Sequence, residues 1–186
     1  MSILETLLSG QNGGLVSQVA KKVGIDESTA QTLITQLVPA VSKGIKNNAA
    51  SQQGLDGLLN ALNSGNHQRY LDDPENLANV EAVDEGNAIL GHVFGDKTVS
   101  RNVAGHAAQR TGVDESIVKK LLPLVATMAM GALSKQANTA QHMGNTVNNL
   151  QSQDAGSVSG MLFSLLDSDN DGDVTDDLLN LAKKFF

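Results

Sequence analysis

Apolar residues recur along this chain at helical spacing, and glycines or polar clusters separate the runs. Leu55, Leu58, Leu59 and Leu62 stand at i, i+3, i+4 and i+7 and predict an amphipathic helix over 52–63, stopped by Gly65. Residues 2–9 predict a short amphipathic helix ended by Gly10, with Gln11 to Gly14 as a loop. Two stretches are unlike these: residues 28–42 and 121–134 contain no charged residue at all. Both fall short of the roughly 20 apolar residues that span a bilayer, so no membrane span is expected. They read as central core helices, each kinked by an interior proline, Pro39 or Pro123. Such a proline removes a backbone hydrogen bond and costs about 3 kcal/mol.

The entries to these two helices are near copies. Gly24-Ile25-Asp26-Glu27-Ser28 precedes the first, and Gly112-Val113-Asp114-Glu115-Ser116 precedes the second. Glycine suits the left-handed position that ends a helix. Aspartate two residues on is a natural N-cap, and the glutamate after it places negative charge in a first turn, where the helix dipole favours it. Each phrase therefore stops one helix, turns and starts another. Pro39 lies 15 residues after Gly24 and Pro123 lies 11 after Gly112. The difference is close to one helical turn of about 3.6 residues, so both prolines are expected on the same side. A tandem pair of helical hairpins follows, over 15–48 and 97–137.

The full layout is a first helical unit at 1–65, a linker at 66–84, a second unit at 85–150 and a C-terminal helix–loop–helix at 151–186. The linker is polar and acidic, broken at Asp72-Asp73-Pro74. The second unit opens with a segment at 87–94 that ends at Gly95, and residues 138–156 read as a polar helix followed by a loop. The fold class is all-α: one multihelical bundle of related hairpins around a shared aliphatic core, with the C-terminal element alongside.

Composition sharpens this picture. Aromatic residues make up only 3% of the chain, so Leu, Val, Ile, Ala and Met must build the core. The absence of Cys excludes disulfides, thiolate metal sites and cysteine catalysis together. The first eight residues lack the basic start and long apolar run of a signal peptide, so a cytoplasmic location is expected. Net charge is −7, and residues 151–186, with seven Asp against Lys183 and Lys184, hold −5 of it. A nearly neutral body with an acidic tail is not the footprint of a nucleic-acid binder.

That tail holds the sharpest chemical motif. Asp167, Asp169, Asp171 and Asp173 stand at alternate positions, with Gly172 where an EF-hand places its turn glycine and Val174 at the usual apolar position. Such a loop gathers carboxylate oxygens around a hard cation, Ca²⁺ above all. The bidentate Glu expected at the twelfth position is Leu178, with Asp176 and Asp177 just ahead as substitutes. The alternative is a solvated acidic loop in which Asp173 caps the last helix. That alternative leaves six carboxylates within eleven residues to repel one another.

Other candidates carry less. Each hairpin resembles a DNA-binding helix-turn-helix, Ala20 standing four residues before Gly24. Base readout needs Arg, Lys, Asn or Gln at the start of the second helix, and here it starts with Asp and Glu. His67, His92, His106 and His142 show no metal-ligand spacing. Met128 and Met130 read as packing. Gly156-Ser157-Val158-Ser159-Gly160 follows no strand and is not a nucleophile elbow. With no catalytic constellation, the chain reads as a non-enzyme.

Ala88-Ile89-Leu90-Gly91-His92-Val93-Phe94-Gly95, then the phrase at Gly112, then Leu121-Leu122-Pro123-Leu124 together resemble the bacterial YidB-like family, one of the domains of unknown function. The Asp-rich closing segment looks like the tail many members carry. The resemblance covers nearly the whole chain. It implies an all-helical fold and no known activity. The expected function is a non-enzymatic interaction module with a calcium-binding C-terminal loop, partnered by another protein or by itself. The alternative is a nucleic-acid binder using the paired hairpins.

Overall fold

The computed structural model describes residues 3–8 and 13–147, and over these the protein is all-helical. The helices are α1 (Ile3–Leu8), α2 (Gly13–Val23), α3 (Glu27–Ala49), α4 (Gln52–Ser64), α5 (Arg69–Asp72), α6 (Val80–Phe94), α7 (Lys97–Thr111) and α8 (Glu115–Val147), with a 3₁₀ turn at Pro74–Ala78.

Helix α8 is the axis of the molecule. Every residue from 121 to 134 is buried, so the uncharged run is covered on all sides. Leu121, Leu124, Val125, Met128 and Leu133 are wholly removed from solvent, each burial contributing about 2 kcal/mol. The apolar stretch is longer than the sequence run suggested: Glu115–Thr139 is long and apolar enough to cross a membrane, but 78% of its most apolar 18 residues are buried inside the protein. Its neighbours take the place that lipid would occupy.

Helix α3 is a different kind of core helix. Ala30, Leu33, Ile34, Leu37, Val38, Val41 and Ile45 are buried, while Gln31, Thr32, Thr35 and Pro39 face solvent. The prolines thus part company, contrary to the expectation that they share a side. Pro39 is exposed and Pro123 is buried. The reason is that α6 covers α8 at Pro123, where a Cβ on Gly86 would stand 2.1 Å from the proline carbonyl oxygen. Among the described residues nothing comparable covers the Pro39 face. Both helices run on through their prolines.

The two repeated phrases make the same turn. Gly24 and Gly112 take left-handed φ values of 78° and 73°, and their N–H groups donate to the carbonyls of Ala20 and Ala108. Asp26 Oδ1 then accepts from the Thr29 N–H at 2.9 Å, and Asp114 Oδ1 accepts from the Ser116 N–H at 2.8 Å. Helix α4 starts at its own cap, Ser51, whose hydroxyl accepts from the Gly54 N–H.

Residues 66–84, read as a linker, are packed structure. Tyr70, Leu71 and Leu77 are buried in the same hydrophobic cluster as α3 and α8. Asp73 caps the 3₁₀ turn and Pro74 occupies its first turn, where no N–H is required. Helix α2 holds this turn: Gly14 lies against the Pro74 ring, and the Lys22 ammonium donates to the Ala78 carbonyl. Helix α6 also begins earlier than expected, at Val80 rather than residue 87. One cluster therefore draws on residues from 3 to 133, and no separate core divides the described body.

Candidate functional site

The charged groups at the two hairpin turns are built for structure. Asp26 accepts three hydrogen bonds, from the Thr29 N–H and from the Ser28 and Thr29 hydroxyls, the latter two at 2.6 Å each. Those hydroxyls, Ser28 first, hold its carboxyl far below the usual range. Asp114 is lowered in the same way by Ser116, and Asp96, which caps α7, by Thr98. Glu115 pairs with Lys119 at 2.7 Å. The starts of α3 and α8, where a helix-turn-helix would offer basic side chains to bases, thus present fixed, exposed anions. Cations lie nearby but interrupted: Arg110, Lys119 and Lys120 are exposed, with Asp114 and Glu115 exposed between them.

A second polar cluster was not legible in the sequence. His67, on the turn before α5, is only 8% exposed. Its Nδ1 lies 3.3 Å from Oε2 of Glu85 on α6, an electrostatic contact rather than an aligned hydrogen bond. The other Glu85 oxygen accepts from Arg69 Nη2. The same Arg69 nitrogen donates to the Tyr70 hydroxyl at 2.7 Å, and the guanidinium carbon stands 4.7 Å from the Tyr70 ring centre. Burial pushes the His67 imidazole below its ordinary value, against the pull of Glu85. Burial likewise pushes the Tyr70 phenol up. No periodicity marks the group, because Glu85 lies 16 residues from Arg69 on another helix.

A histidine beside a carboxylate has the composition of a general base, but the geometry differs. A Cβ on Gly65 would lie 2.1 Å from His67 Nε2, so backbone occupies that side of the ring. The hollow next to it, about 210 Å³, is lined by Arg69, Tyr70, Asn76, Asn79 and Glu81 and not by His67. With one ring nitrogen toward Glu85 and the other against Gly65, the imidazole ties the α5 segment to α6. The His67 carbonyl also lies close against Gly131 of α8.

The residues expected to hold calcium, Asp167, Asp169, Asp171, Asp173, Asp176 and Asp177, lie outside the described residues, as do the segments expected to flank them as helices and Ser157 and Ser159. Among the described residues no group of three or more His, Asp or Glu is arranged to hold a metal. His92 and His106 are exposed, and Met128 and Met130 are buried packing residues.

A single-core helical body wrapped around one helix that is buried from 121 to 134 defines the class. Residues 5–136 match the family of bacterial proteins of unknown function designated DUF937, and the chain belongs to that family. The match ends ahead of the Asp-rich segment. Neither a curated protein nor a solved structure matches the chain.

Proposed function

We propose that the chain is a non-enzymatic helical interaction module, YidB-like in type, whose Asp-rich segment at 167–177 binds Ca²⁺. The observation that carries this reading is the commitment of four of the body's carboxylates, Asp26, Asp96, Asp114 and Glu85, to the fold. Asp26, Asp96 and Asp114 are fixed as anions by cap hydrogen bonds, which suits them poorly to exchange protons near neutral pH. Glu85 is held by His67 and Arg69. The matching turns at Gly24 and Gly112 support a tandem origin for the two hairpins.

The donor chemistry of the acidic segment supports calcium. Asp167, Asp169, Asp171 and Asp173 offer hard oxygens at alternate positions around Gly172. Asp176 or Asp177 substitutes for the Glu that Leu178 displaces, which predicts weak binding or coordination completed by water. Binding would order the segment and set the presentation of Leu178, Leu179, Phe185 and Phe186 to a protein partner or a second copy. Sedimentation velocity on the full chain, in EDTA and in millimolar calcium, tests this. A calcium-dependent change in mass or frictional shape is expected, and identical profiles would refute a calcium-gated contact.

Nucleic-acid binding is the second reading, favoured by the exposed Arg110, Lys119 and Lys120. The carboxylates between them would meet phosphate repulsion. Anisotropy of a labelled duplex at low salt separates the two readings, because only the second expects binding.

A further inference from the structure

A cleft of about 460 Å³ opens between α6, α7 and α8. Small-molecule sites occupy roughly 300–1,000 Å³, so this one is of ligand size. Leu90, Leu122 and Pro123 give it an apolar wall, while Lys97, Arg101 and Lys119 bring three cations against one carboxylate, Asp96. In a chain of net charge −7 this local excess runs against the average.

The single carboxylate is already occupied, since Asp96 Oδ1 caps α7 through the Thr98 N–H at 2.7 Å. Among the described residues neither Lys97 nor Arg101 is in an ion pair, although Arg101 is near enough to help keep Asp96 ionised. Lys119 pairs with Glu115, and both side chains are about half exposed, at 48% and 49%. Such a surface pair is weak and readily exchanged for another anion.

Gly91, also on the cleft wall, is the second observation. It sits inside α6, where glycine is unfavourable relative to alanine. Gly86, five residues earlier, is required by contact with the Pro123 carbonyl, whereas a Cβ on Gly91 would meet nothing within 4 Å. No neighbour among the described residues demands a glycine there. The space it leaves open is the cleft.

We propose that this cleft binds a small organic anion. A carboxylate or phosphate head is held by Lys97, Arg101 and Lys119, and an apolar body lies against Leu90, Leu122 and Pro123. Arginine supplies the forked donor that such heads accept. The volume exceeds that of a bare ion, so the apolar part contributes to binding. A soluble metabolite and a lipid headgroup share this chemistry.

Calorimetry on the full chain with octyl phosphate, sodium octanoate and inorganic phosphate is the test. Wild type is compared with Arg101→Gln and with Gly91→Leu, whose Cβ enters open space and whose branched end takes up room on the cleft wall. The proposal expects at least one octyl ligand to bind about tenfold or more tightly than inorganic phosphate. Both variants should lose about tenfold or more, while Gly91→Leu melts no lower than wild type. Failure of both octyl ligands to bind overturns the proposal, as does binding that Gly91→Leu leaves intact. Flotation with phosphatidylglycerol vesicles, against phosphatidylcholine, then separates the sources. Gly91-dependent vesicle binding assigns a lipid headgroup, and binding of soluble ligands alone assigns a metabolite.

Discussion

The Thr127 hydroxyl donates to the carbonyl oxygen of Ala82 at 2.8 Å, a bond from the buried α8 to the covering α6. It forms because Gly86, one turn beyond Ala82, lets α6 come down onto the Pro123 carbonyl. Gly86→Ala puts a methyl group into backbone that cannot move aside. It should destabilise the protein by about 2 kcal/mol or more, a fall in Tm of several degrees. Gly91→Ala, in the same helix but facing open space, should instead stabilise by about 0.5–1 kcal/mol. Thermal melts of the two variants check the contrast.

Tyr70 is 1% exposed in a chain that contains no other tyrosine and no tryptophan. Truncating a buried ring costs about 3–5 kcal/mol, so Tyr70→Ala should lower Tm by about 10 °C or more in a chain of this size. A flexible linker at 66–84 would show almost no change. Chemical denaturation gives an independent reading of the same loss.

His67 predicts a pH dependence whose sign is fixed by burial. Its native-state value lies below the ordinary one, with burial outweighing the Glu85 carboxylate. As the pH falls through about 6.5, the unfolded chain therefore takes up a proton before the native state does. This contribution is fully present above that pH and is lost as the pH drops toward the native-state value. Between about pH 7.5 and 5.5, Tm should fall more steeply for wild type than for His67→Gln. Parallel slopes would contradict the assignment.

Local chemistry was the legible part of this fold. Glycine and aspartate at 24 and 26, and again at 112 and 114, marked helix ends because the φ and cap requirements lie within a few residues. The uncharged run 121–134 marked a buried helix for a similarly local reason. The 66–84 segment misled because Asp72, Asp73 and Glu75 are solvent-facing or capping residues around a few buried ones, Tyr70, Leu71 and Leu77. Helix α6 was read short because its buried face uses Ala82 and Gly86, which carry little hydrophobic signal. The His67–Glu85–Arg69 cluster depends on packing between distant segments, which no spacing rule encodes.

The central proposal is that the chain carries a calcium site in residues 167–177. Calcium calorimetry on the full chain tests it most directly, comparing wild type with Asp169→Asn/Asp171→Asn. The account predicts saturable binding in the micromolar to millimolar range that the double variant abolishes. No binding heat and no rise in Tm at millimolar calcium, or binding that survives the double variant, would contradict it.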